Sequence, residues 1–141
     1  MVMTIGRARL AGPDDRSAAD VLAERLDVLA DRRWRAASSF TYDGVEGVAS
    51  DDLANNRLNN AIQGLQLPGV PAGLKVGWEL TASNFVQMGL AELQDLGLAM
   101  LTHVQACWAV QAHFSAQLIA AADEGLDAIY AVDLETGWPA G

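Results

Sequence analysis

Apolar residues recur along this chain with two different periods, and the switches between them mark out its elements. From Ala18 to Ala37, Val21, Leu22, Leu26, Leu29, Arg33 and Trp34 share one face of a 3.6-residue repeat, and Asp14 or Ser17 stands where a cap is needed. The next stretch, SFTYDGVEGVAS, sets Phe40 and Tyr42, then Val45 and Val48, on either side of Asp43-Gly44. That dipeptide favours a two-residue hairpin turn. A second helix is expected over Asp52 to Leu65, capped by Ser50 or Asp51, with Leu53, Leu58, Ala61, Ile62 and Leu65 pointing inward. LPGVPAGL, with two prolines, is a turn-rich connector. Leu74, Val76, Trp78 and Leu80 then alternate with Lys75, Gly77, Glu79 and Thr81, a period-two strand expected to join the hairpin as its third strand.

From Ser83 the helical period returns. Val86, Leu90, Leu93, Gly97, Met100, Val104, Cys107, Gln111, Phe114, Leu118 and Ala121 alternate spacings of four and three, a sustained heptad seam. A helix from Ser83 to Ala122 would be roughly 60 Å long, whereas a domain of this size is about 30 Å across. Such a helix breaks or finds partners outside its own chain, and Gly125 is the position expected to kink it before a final turn through Leu126, Ile129 and Tyr130. Between Leu96 and Ala122 no residue is charged, yet His103, His113, three glutamines, Thr102 and Ser115 interrupt the run. It falls short of the roughly 18 unbroken apolar residues of a membrane span. A circumference without charge predicts burial on several sides. One hairpin and two short helices leave part of it uncovered. The candidate self-association or docking seam is therefore Leu93, Met100, Val104, Cys107, Trp108, Gln111, Phe114 and Leu118, with Gln111 as the polar residue that sets register.

These elements add up to a mostly helical α+β fold. A small antiparallel sheet, the hairpin plus one strand, packs with two short helices and one long C-terminal helix over about 83–122. Residues 1–16 read as an irregular arm ahead of a single domain over 17–141, in keeping with a length of 141 residues.

Charge narrows the partners. The net charge is −9, and beyond Arg35 only Arg57 and Lys75 are basic. An acidic body lacks the lysines and arginines that displace counterions from a phosphate backbone, so nucleic acid is not an expected partner. The arginine-rich first quarter suits an acidic partner, including a neighbouring copy. Cys107 is the single cysteine, which rules out an intrachain disulfide and suits a buried thiol. The start, MVMTIGRARLAGPDD, has neither the apolar core nor the cleavage pattern of a secretory signal, so synthesis in the cytoplasm is expected.

Candidate chemistry is sparse. His103 and Cys107, four apart, share a helix face, but a zinc site needs three or four ligands. His113 lies about 80° further around the helix, and the nearest acids, Asp95 and Asp123, are two or more turns away. The same pair fails as a catalytic dyad, because a mid-helix buried thiol lacks access and an electropositive setting. Asp51-Asp52 and Asp123-Glu124 fall at helix ends, where acids cap or are solvated. No Walker, GxGxxG or GxSxG sequence occurs. No cofactor, metal or catalytic residue is expected, and the protein reads as a non-enzyme. Trp78 and Trp108 are expected mainly as core, whereas Trp138, in a terminal GWPAG, is expected to dock on its own domain or on a neighbour.

Several of these segments together resemble a known family. DRRWRAASSFTYDGVEGVASDD, then NNAI, then VGWELTASNFVQMGLAELQDLGLAMLTHVQACWAVQAHFSAQLIAA and a closing GWP are similar to a domain-of-unknown-function family of prophage and phage tail-fibre regions. Its features correspond here to Arg33-Trp34 at a helix end, Gly44 in a hairpin, Trp78 in a strand, and the run from His103 to Trp108 in a helix. The likeness covers about Leu26 to Pro139 and departs at Ser50-Asp51-Asp52-Leu53, where the family carries a different helix start. It implies a structural part of a phage tail or tail fibre, made in the bacterial cytoplasm and placed in the virion, with other tail proteins and further copies of itself as partners. The alternative it leaves open is a tail-fibre assembly chaperone, absent from the finished particle.

Overall fold

The computed structural model describes residues 16–140. The segment expected as an arm, with Asp14, lies outside the described residues apart from Arg16. Helix α1 (Ala18–Ala37) leads to strands β1 (Ser39–Tyr42) and β2 (Val45–Ala49), helix α2 (Asp52–Leu65), strands β3 (Val76–Thr81) and β4 (Asn84–Met88), and helices α3 (Leu90–Ala122) and α4 (Leu126–Ala131). Mostly helical α+β is the fold class.

Three local readings are overturned. The strand expected to extend the first hairpin instead pairs with β4, so there are two separate two-stranded antiparallel sheets, β1-β2 and β3-β4. The long helix begins at Leu90 rather than Ser83, because Asn84 to Met88 run back along β3, with Trp78 opposite Val86 and Val76 opposite Met88. The helix start is fixed by Glu92. Its Oε1 accepts the Gly89 amide at 2.9 Å, half of a capping box, in which a side chain three residues in satisfies the first exposed N–H. At the far end, Gly125 does not kink the helix. α3 stops at Ala122, and Gly125, at φ 122°, leads into α4.

By contacts, the described residues form two compact units, to both of which α1 and α3 contribute. The first comprises 16–32 and 110–137. Its buried side chains are Val21, Leu29, Phe114, Leu118, Ala121, Ile129 and Leu134. Ser17 caps α1 by accepting the Asp20 amide. Arg25 Nη2 donates to the Val132 carbonyl at 2.8 Å, and Arg16 reaches both Glu24 at 2.6 Å and the Tyr130 hydroxyl at 3.1 Å. The Arg16 hydrogen bond holds the Glu24 carboxyl below its usual range. Asp133 is held low as well, by the Glu135 amide first and then the Thr136 hydroxyl.

The second unit, 33–109 with 138–140, has its core where both hairpins and α2 meet α3: Phe40, Val48, Leu58, Leu80, Met88, Leu93, Leu96 and Met100. Gly97 belongs to the contact of α2 with α3, since a Cβ there would stand 3.4 Å from Leu58 Cδ2. In the first hairpin Asp43 and Gly44 have φ 50° and 78°, the two positive values that a type I′ turn requires.

Candidate docking site

The site is built where α1 ends. A helix leaves its last four carbonyls without internal partners, and here three side chains take up three of them. Ser38 Oγ donates to the Arg35 carbonyl at 2.8 Å, His103 Nε2 to that of Ala36 at 2.8 Å, and Ser50 Oγ to that of Ala37 at 2.6 Å. The contact with a carbonyl oxygen requires the His103 proton on Nε2. His103 also stacks on Phe40, 5.4 Å between centroids and 20° between planes, and Cys107 Sγ lies 3.7 Å from its Nε2. The histidine and thiol singled out as possible chemistry are thus a buried joint between α1 and α3. Among the described residues no group of three or more His, Cys, Asp or Glu side chains is placed to hold a metal.

Beside this joint, α1, the start of α2 and α3 enclose an open cleft of about 270 Å³. Trp34, Val104 and Trp108 supply its apolar walls, and Arg33, Asp51 and Asp52 its charges. The Arg33 guanidinium carbon sits 3.9 Å from the centre of the Trp108 ring, a cation–π contact. Asp51 is engaged as the cap of α2, accepting the Ala54 amide at 2.9 Å.

Along α3 the seam divides. Leu93, Met100 and Cys107 are buried in the second unit, and Phe114 and Leu118 in the first. Leu96 and His103 join the buried stripe where the heptad reading had placed Gly97 and Val104. Val104 and Gln111 are half-buried, and Trp108 is 46% exposed. Trp78 and Trp138 are half-buried, and Trp78 packs against the core of the second unit.

Sequence reasoning passed over Leu98 (64% exposed) and Leu101 (56%), and it placed Trp34 on the apolar face of α1, where the side chain is instead 59% exposed. Leu98, Leu101 and Trp108 fall within about 80° of the helix circumference, so they form a second apolar stripe that runs into the cleft. The signal was present in the sequence: leucines at 98 and 101 lie off the seam of a helix with no charge on any side.

A second concavity of about 350 Å³ lies among the first hairpin, β4 and the start of α3, lined by Tyr42, Leu80, Val86, Met88, Glu92 and Asp95, among others. The Tyr42 hydroxyl donates to Asp95 Oδ2 at 2.7 Å. Partial burial, reinforced by that carboxylate, pushes the phenol up to about 12.

A family model, domain of unknown function (DUF4376), matches residues 20–136. The chain belongs to this family. No curated protein and no solved structure matches it. Among the described residues no helix is long and apolar enough to cross a membrane.

Proposed function

We propose that this protein is a structural component of a bacteriophage tail or tail fibre, acting by self-association or by docking on a larger tail assembly. The observation that carries the proposal is the second apolar stripe of α3. Leu98, Leu101 and Trp108, with Trp34 beside them, leave large apolar surface open on a helix that has no charge from Leu96 to Ala122. Monomeric soluble proteins rarely leave such patches uncovered unless a partner takes them. The phage context is supported by the likeness of the Arg33-Trp34, hairpin, Trp78 and His103 to Trp108 segments to domains from prophage and tail-fibre regions. An exposed apolar surface of this kind suits a mechanical part of the virion.

The test is to purify particles of the phage that encodes the chain and to quantify it against the tail-fibre protein by mass spectrometry. A fixed ratio in washed particles is the expected result. Abundance in the lysate with absence from particles would replace this reading with the assembly chaperone.

A further inference from the structure

We propose that the cavity between the two hairpins is a binding site for a single saccharide ring. It lies in the second unit and shares no residue with the α3 stripe, so it is independent of the tail reading.

The cavity exists because two neighbouring strands do not pair. β2 and β3 lie side by side, yet no ladder joins them, and each hairpin remains its own sheet. Both hairpins are irregular at that border. In the first, Thr41 stands opposite both Glu46 and Gly47, with Gly47 at φ 75°. In the second, Leu80 is an extra residue between the Glu79–Phe85 and Thr81–Asn84 pairs. Bulges bend a strand and end its pairing, and they are over-represented beside functional sites. Gly47 and Leu80 both line the resulting cavity of about 300 Å³. The α-carbons of β2 and β3 approach within 8 Å, whereas a third strand between them would need about 9.6 Å. The slot is too narrow for a peptide strand, and its volume suits a small molecule.

The walls name the chemistry. Trp78 and Glu79 border the cavity from β3, and Arg57 borders it from α2. Trp78 is half-buried and anchored against the core of the unit. Arg57 and Glu79 are exposed, and neither they nor the Trp78 indole N–H has a hydrogen bond or ion pair among the described residues. An unpaired Arg57 stands out in a chain with 18 acids against 9 bases, where the one later base, Lys75, is paired with Glu92 at 3.7 Å. An indole offers a flat apolar face and one donor, a guanidinium offers donors only, and a carboxylate offers acceptors only. One cation and one anion leave the cavity without net charge, so its own field selects neither an anion nor a cation. A neutral ring with an apolar C–H face and a rim of hydroxyls that both donate and accept can use all three groups. That is a saccharide.

The experiment is saturation-transfer difference NMR of the full chain, with glucose, galactose, mannose and N-acetylglucosamine as probes. Benzoate and benzylamine serve as charged-ring controls. Transfer to the ring C–H protons of at least one sugar is expected, with weaker transfer to both controls. In titrations, Arg57→Met and Glu79→Gln should each raise the dissociation constant of that sugar about tenfold, the loss of a hydrogen bond to a charged group. Both side chains are exposed, so circular dichroism melting should stay as in the wild type. Absence of transfer to all four sugars overturns the proposal. So does sugar binding that both variants leave unchanged, or stronger binding of benzoate or benzylamine. None of those results would remove the protein from purified particles, so the tail reading stands or falls separately.

Discussion

Two faces of one helix divide the work in the second unit. The inner face of α3, through Leu93, Leu96, Met100, His103 and Cys107, is closed by the two hairpins and by α1 and α2. The outer face, through Leu98, Leu101 and Trp108, is left largely open by the described residues, with Arg33 over the Trp108 ring. Both are largely apolar and both keep the helical period, the inner residues at spacings of three and four and the outer ones at three and seven. Period alone does not separate the stripe a helix gives to its own core from the stripe it keeps for a partner. Depth of packing does, and substitutions on the two faces should differ accordingly.

The largest effect is expected on the inner face. Leu96→Ala removes a side chain that is fully buried among Phe40, Leu58 and Met100. It should cost about 2–5 kcal/mol in urea unfolding, from lost burial and the cavity left behind. His103→Phe keeps an aromatic ring against Phe40 but orphans the Ala36 carbonyl, and it should cost about 1–3 kcal/mol in the same measurement. Leu101→Asp, on the outer face, should change the unfolding free energy of the monomer by no more than about 0.5 kcal/mol. A loss there as large as at Leu96 would mean that the outer stripe is core after all.

The smallest effect lies on neither face. Tyr42 is held protonated by partial burial and by its bond to Asp95 on α3, with its value raised from 10.0 to about 12. A raised value favours the protonated form in the folded state. The stabilisation is complete below pH 10 and is lost as pH climbs through 12. Tyr42→Phe should flatten the fall in stability across that window while leaving neutral pH little changed, and an unaltered alkaline profile would exclude Tyr42 as its source.

What the sequence made legible, and what it hid, follows the same local physics. The first hairpin could be read because Asp43-Gly44 must adopt positive φ to turn the chain, and few residues do so readily. The β3-β4 hairpin turns at Ala82-Ser83, where neither residue has positive φ and neither is a glycine or asparagine that would flag the turn. Ser83 resembled a helix cap, and Val86 happened to fall in phase with the heptad beyond it, so the strand was absorbed into the helix. Gly89 with Glu92 three residues on was the available correction. The heptad located the buried stripe to within one residue but gave no account of the stripe beside it. Spacing marks which side chains share a face and carries no information about how many neighbours reach that face. His103 and Cys107 were legible as buried core, but the joint that His103 makes was not, because its contacts with Ala36 and Phe40 come from residues more than sixty positions away in the chain.

The central claim, that α3 keeps its outer stripe for a partner, is tested most directly by hydroxyl-radical footprinting of the purified chain at low and high concentration. Oxidation of Leu98, Leu101, Trp34 and Trp108 should be strong when dilute and should fall together as concentration rises. Phe85, exposed on β4, serves as the unchanging internal standard. If the four residues oxidise as readily at high concentration as at low, while Phe85 is constant, copies of the chain do not cover the outer face. If they are protected even when dilute, the stripe is not open in the monomer and the division between the two faces is wrong.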